Sequence, residues 1–210
     1  RLYVRNSQGG FEDWSHKSSI NFLDSSHANL FTDLDNDGDQ DLVSGVNEGI
    51  MIMENDGNGN FTKRVSQLLP SAVPYSISAA DYDNDGDLDF YVCCYNRRIG
   101  SKEHHLFARP IPYHDANNGG RNVLFRNDDK WVFKNVTVLD GLDQNNRKFS
   151  YAASWEDYDN DGDMDLYVAN DFGKNNLYQN NPDKPGGVRF KDVSEEAGIV
   201  DIGPGMSVSW

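Results

Sequence analysis

Three ten-residue strings, "DLDNDGDQDL" from Asp33, "DYDNDGDLDF" from Asp81 and "DYDNDGDMDL" from Asp157, each set five aspartates on alternate positions. Crowding like charge in this way destabilises a fold unless something cancels it. The strings also recur inside a longer unit, and that unit is what most constrains the fold. A small or β-prone run precedes each one ("HANLFT", "YSISAA", "SYAASWE"), and an alternating β-branched and aromatic run follows ("LVSGV", "FYVCCY", "LYVAN"). A strand-like segment ending in Asn comes next ("IMIMEN", "NVLFRN", "NNLYQN"), then a polar turn and a Phe-led segment ("NFTKRVS", "VFKNVT", "RFKDVS"). Helical 3.6-residue periodicity is hard to find, so each unit reads as four short strands.

A repeating four-stranded unit cannot bury both of its faces alone and must stack on its neighbours. The expected fold is therefore all-β, a β-propeller of four-stranded antiparallel blades; the competing arrangement is a sandwich of hairpins. Blades are expected over 28–66, 77–137 (with an insertion at 96–122) and 151–194. Residues 1–15 match the end of an earlier blade, and 205–210 the start of a later one. Two strands, three sets of four and one more make fifteen. The segment then forms about half of a ring, three full blades with partial blades at both ends, and further blades of the same chain are expected.

The charge is local. The strings hold 15 of the 34 acidic residues, and the remaining 19 match the 19 Lys and Arg, although the net charge is −15. A generally repelling or disordered surface does not give this distribution, and an acidic chain without a basic stripe is a poor nucleic-acid binder. No apolar run approaches the ~20 residues that span a bilayer. The opening "RLYVRNSQGG" lacks the apolar core of a signal peptide and resembles the middle of a repeat, so true termini are expected elsewhere. Adjacent Cys93 and Cys94 are expected as two unpaired, partly buried thiols, since strand neighbours face opposite sides.

Within each string, carboxylates at positions 1, 3 and 5 of a tight loop converge on one point. Glycine at position 6 lets the chain turn, position 7 offers its carbonyl, and Asp at position 9 closes the shell. So many oxygens in a flexible arrangement suit Ca2+ better than Mg2+. The EF-hand pattern is excluded: its twelfth-position Glu is replaced by Ser44, Val92 and Val168, and a strand follows where a helix should.

These loops resemble the calcium loops of FG-GAP (VCBS-type) repeats, which build the β-propeller of integrin α subunits. With "NVLFRN", "NNLYQN", "FKDVSEEAGI" and "WEDYDNDGDMDLYVAND", the wider pattern is similar to bacterial secreted or surface VCBS proteins and cartilage-acidic-protein-like chains. The resemblance implies three structural Ca2+ sites. Their ligands would be Asp33, Asp35, Asp37, Asp39 (carbonyl) and Asp41; Asp81, Asp83, Asp85, Asp87 (carbonyl) and Asp89; and Asp157, Asp159, Asp161, Asp163 (carbonyl) and Asp165.

In an antiparallel blade the aspartate loops join strands 1 and 2, and the 3–4 turns lie at the same end. The longer connections ("SQLLPSAVP", "VLDGLDQNNRKF", "EEAGIVDIGPG") fall at the other. First-Asp spacing is 48 and then 76, and the 28 extra residues form the 96–122 insertion. That insertion carries Arg97, Arg98, Lys102, His104, His105, Arg109, Tyr113, His114 and Arg121, an expected ligand loop on a rigid scaffold; the other expectation is a loop that simply packs on a neighbouring blade. The functional expectation is a calcium-rigidified module recognising an extracellular protein or glycan, at a cell surface, outside the cell or in the periplasm. The alternatives are a structural repeat in a large surface assembly, a lectin-type propeller, or a polysaccharide lyase using a loop His or Tyr113 as base. Asn60-Phe-Thr62 and Asn135-Val-Thr137 are glycosylation sequons, meaningful only in a eukaryotic secretory pathway.

Overall fold

The computed structural model describes residues 1–22, 25–47, 49–69, 72–99, 106–107, 109–129, 131–182 and 188–209. Strands β1 (Tyr3–Arg5) and β2 (Phe11–Asp13) pair as a hairpin. Three four-stranded antiparallel sheets follow in simple sequential order. The first is β3 (Ser26–Thr32), β4 (Asp41–Val46), β5 (Gly49–Asn55) and β6 (Phe61–Leu68). The second is β7 (Ala72–Ala80), β8 (Asp89–Ile99), β10 (Val123–Asn127) and β11 (Phe133–Asn135), with β9 (Leu106–Phe107) pairing the far end of β8. The third is β12 (Ser150–Glu156), β13 (Asp165–Asn170), β14 (Asn176–Asn180) and β15 (Phe190–Asp192). No helix forms among the described residues, and in particular none long and apolar enough to cross a membrane.

Strand alternation explains why the second sheet is sealed on both sides. Phe90, Val92 and Cys94 of β8, with Val123 and Phe125 of β10, pack against Val43, Ile50 and Ile52 of the first sheet. Tyr91, Cys93 and Leu124 point the other way, against Leu166, Val168 and Tyr178 of the third. Each such side chain contributes about 1.5–3 kcal/mol by leaving water. The repeated sheets therefore bury their faces against one another, as blades do. The two cysteines are unpaired and completely buried, more so than expected, because each lies in one of these two interfaces. Burial raises both thiols, Cys93 to about 12.

Fifteen strands form among the described residues, but not the expected fifteen. β9 arises inside the insertion, whose first residues simply prolong β8. Residues 205–209 form no strand; Gly205 N donates to Asn170 O (3.0 Å), and Trp210 lies outside the described residues. The connection expected in "SQLLPSAVP" is mostly strand, with Ser66–Leu68 in β6 and Ala72–Pro74 in β7. Proline has no N–H for the ladder, and the β7–β8 register shifts on both sides of Pro74. Its ring lies so near Gly45 that a Cβ there would come within 2.8 Å of it.

The order of connections sorts the chain by end. The aspartate loops and the β5–β6, β10–β11 and β14–β15 turns lie at one end of the sheets. The remaining connections, including the insertion, lie at the other.

Candidate metal centres

Each aspartate loop is wound by the same hydrogen bonds. The first carboxylate accepts the N–H groups of positions 5 and 6: Asp37 N and Gly38 N to Asp33 (3.2 and 3.0 Å), Asp85 N and Gly86 N to Asp81 (3.1 and 3.0 Å), and Asp161 N and Gly162 N to Asp157 (both 3.0 Å). The fifth accepts the N–H of the seventh at 3.0–3.1 Å. Positions 4 and 6 both take left-handed backbone: Asn36, Asn84 and Asn160 near φ 60°, and Gly38, Gly86 and Gly162 near φ 94°. A Cβ on any of these glycines would meet nothing within 4 Å, so glycine is required there for conformation and not for space. The αL role of the position-4 asparagine was not anticipated, although Asn is the non-glycine residue best suited to it.

This winding brings one oxygen each of Asp33, Asp35 and Asp37, of Asp81, Asp83 and Asp85, and of Asp157, Asp159 and Asp165 within 4.8 Å of one another. Oxygens sharing one Ca2+ at 2.3–2.6 Å stand at most about 5 Å apart, so the spacing suits such an ion. Buried oxygens without partners, Asp35 Oδ1 and Asp83 Oδ1, fit the same reading. Burial first, then the neighbouring aspartates, raises the pKa of Asp35 and Asp83. A divalent cation removes that cost. The residues present therefore fit a hard cation, which positions 1, 3, 5 and 9 and the position-7 carbonyl would hold.

Position 9 also does something that sequence reasoning missed. Asp41, Asp89 and Asp165 are completely buried, and each carboxylate clamps two backbone segments. One oxygen accepts the N–H of loop position 2: Leu34 (2.9 Å), Tyr82 (3.3 Å) and Tyr158 (3.1 Å). The other accepts the N–H of the last residue of the third strand: Asn55 (2.9 Å), Asn127 (2.8 Å) and Asn180 (2.7 Å). Burial pushes Asp89 up to about 8, and Asp41 and Asp165 up to about 6, against the opposing effect of these hydrogen bonds. Asp165 joins the convergent set of its loop, whereas Asp41 and Asp89 stand outside the sets formed by positions 1, 3 and 5. In the third loop it is Asp161 that stands outside.

The loops are tied to one another as well. Asn127 Nδ2 reaches back to Leu34 O in the first loop (2.9 Å), and Asn180 Nδ2 to Tyr82 O in the second (2.8 Å). Asn36 Nδ2 donates to Asp87 Oδ1 (2.8 Å), and Asn84 Nδ2 to Asp163 Oδ1 (3.0 Å). The position-7 side chains of the second and third loops therefore serve the junction with the preceding loop.

The expected ligand loop is only partly placed. Lys102, His104 and His105 lie outside the described residues, as does the side chain of Arg98. Arg109, Tyr113 and His114 are exposed, and Tyr113 sets its ring edge-on to Phe172 at 4.9 Å. Arg109 O is held by Asn118 Nδ2 (2.7 Å). The end of the insertion docks on the next sheet's approach: Ala116 N to Phe172 O (3.2 Å) and Gly119 N to Arg147 O (2.8 Å). A Cβ on Gly119 would stand 2.3 Å from Lys148 O, so this approach demands glycine. Exposed aromatics at equivalent places in each sheet, which a lectin reading requires, do not form at the equivalent positions of Tyr75 and Tyr151, each six residues before its first Asp. Their half-buried rings pack on each other at 4.7 Å, and the first sheet has His27 there.

Residues 33–92 match the family model of the FG-GAP-like repeat. The match runs from the first aspartate of the first loop to the middle of β8 and takes in two of the three loops. Repeats of this family are non-catalytic structural or adhesion modules. No curated protein matches the chain.

Proposed function

We propose that the chain is a calcium-binding recognition module of FG-GAP/VCBS type, a segment of a β-propeller working at a cell surface, outside the cell or in the periplasm. One observation carries this reading: three loops with the same hydrogen bonds, the same pair of left-handed residues and three convergent carboxylates each, from positions 1, 3 and 5 in the first two and from positions 1, 3 and 9 in the third. Ca2+ at these loops is structural. It neutralises the carboxylates of the folded chain only, and so stabilises the fold by mass action. Sites of this kind in extracellular modules bind at about 0.1–1 mM, which suits calcium levels outside the cell.

The second sheet supports an asymmetric recognition end. Its 2–3 connection alone carries the long insertion, and that insertion is anchored by backbone hydrogen bonds on Arg147 and Phe172, in connections flanking the third sheet's strands. The alternative, a structural repeat within a large surface assembly, is favoured by the uniformity of the loop junctions. Thermal unfolding in calcium and in EDTA tests the shared part of both readings. The melting temperature rises with calcium in the native chain, and Asp85→Ala and Asp161→Ala each reduce that rise. A melting temperature indifferent to calcium contradicts both.

A further inference from the structure

Three arginines from separate parts of the chain meet at one cavity at the end opposite the aspartate loops. Arg97 lies near the end of β8, Arg121 just before β10, and Arg147 in the connection leading to β12. They line one cavity of about 550 Å3 whose floor includes Leu69, Ala72 and Val123, all buried. The Gly119–Arg147 backbone hydrogen bond holds two of the three segments together. Arg121 is paired with Asp143 (2.6 Å), while Arg97 and Arg147 have no ion-pair partner among the described residues. Two guanidinium groups without an ion-pair partner among the described residues, at one cavity, stand out in a chain of net charge −15.

The amides beside them strengthen the bias towards donors. Asn135 Oδ1 is engaged by Thr137, and among the described residues the Asn135 amide N–H groups have no acceptor, so they can serve a ligand. The corresponding cavity one sheet on shows that the cationic character is specific. Asn176 and Asp192 stand there where Val123 and Asn135 stand here, and its two lysines are both ion-paired, Lys148 with Asp115 and Lys174 with Glu195. Arginine's planar fork suits a carboxylate. Amide donors beside it suit neighbouring hydroxyls, and a small apolar floor suits the C–H face of a sugar ring. A peptide carboxylate would need only the arginines.

We infer that this cavity binds a uronate, the carboxylate-bearing sugar of an acidic extracellular glycan. The inference deepens the proposed recognition role and rests on it, but it uses no metal ligand. The test is calorimetric titration of trigalacturonate into the calcium-loaded chain, with its methyl ester and hexaglutamate as comparison probes. The expected result is saturable binding of trigalacturonate, weakening as salt rises and about tenfold or more weaker in the R97A/R147A double variant. The methyl ester, which has no carboxylate, fails to bind. The double variant keeps the full calcium-induced rise in melting temperature, because both arginines lie at the other end of the sheets. Absence of trigalacturonate binding in a chain that calcium stabilises overturns this inference and leaves the calcium reading standing. Equal binding by the double variant, or tighter binding of hexaglutamate, overturns it too. A melting temperature indifferent to calcium defeats the calcium reading separately.

Discussion

The two ends of the sheets follow different rules. At the aspartate end, three loops repeat to the level of individual hydrogen bonds, and adjacent loops are joined by the same asparagine contacts. At the other end no two 2–3 connections are alike. The first sheet leaves only two residues between Val46 of β4 and Gly49 of β5, the second carries the insertion, and the third passes through Gly173 and Lys174. Repetition at one end indicates a shared physical task, holding sheets together around charge that a cation cancels. Divergence at the other is what a scaffold permits where its connections are free of that task.

The sharpest way to break this comparison is at position 9, where the carboxylate serves the backbone as well as the proposed ion. Asp89→Ala leaves Tyr82 N and Asn127 N buried without acceptors, a loss of about 2–6 kcal/mol. It should lower the melting temperature in calcium and in EDTA alike, by about 2–4 °C per kcal/mol. A loss confined to calcium buffer would make position 9 a ligand only. Next in size is Asn127→Ala, which deprives Leu34 O of its partner across the sheet junction. Differential scanning calorimetry should show about 1–3 kcal/mol of destabilisation in both buffers, and none would remove the junction from the account.

Asp85→Ala should behave differently, losing mainly what the ion contributes, because the Asp87 N–H that it frees lies in an exposed hydrogen bond that water can replace. The loss is about 0.4–1.4 kcal/mol at ~1 mM calcium for a site of 0.1–1 mM affinity, with little change in EDTA. Acidity provides a fourth test. The folded pKa values of Asp41, Asp89 and Asp165 lie above the ordinary carboxylate value, at about 6, 8 and 6. In EDTA the folded form therefore holds protons that the unfolded form has released. Stability should fall as pH rises from about 4 towards 8, and calcium should offset that fall. Chemical denaturation across this range checks the sign, and a metal-free chain that gains stability with pH would refute it. The smallest effect belongs to the other end, where R97A/R147A should change the melting temperature by less than the equivalent of about 0.5 kcal/mol.

Much of the aspartate end was legible in the chain because its chemistry is local. Positions 1, 3, 5 and 6 act within one turn, so a ten-residue string contains both the oxygens and the glycine. The terminal Asn of "NVLFRN" and "NNLYQN" was visible too, but its task was not, since Asn127 and Asn180 act on carbonyls 93 and 98 residues away. The double role of Asp89 is hidden for the same reason, because Asn127 N lies 38 residues on. β9 is two residues long and has no pattern of its own. Arg97 and Arg121 could be suspected from the length of the insertion. Arg147 could not, because only the packing of Gly119 on the neighbouring connection brings it to the same cavity.

The central claim is that a cation, and not the aspartates alone, makes the repeated end stable. Melting the native chain and Asp85→Ala side by side, each in calcium and in EDTA, tests it most directly. The account predicts a gap between the two proteins in calcium that closes in EDTA. An equal gap in both buffers would show that the aspartates serve the fold without metal.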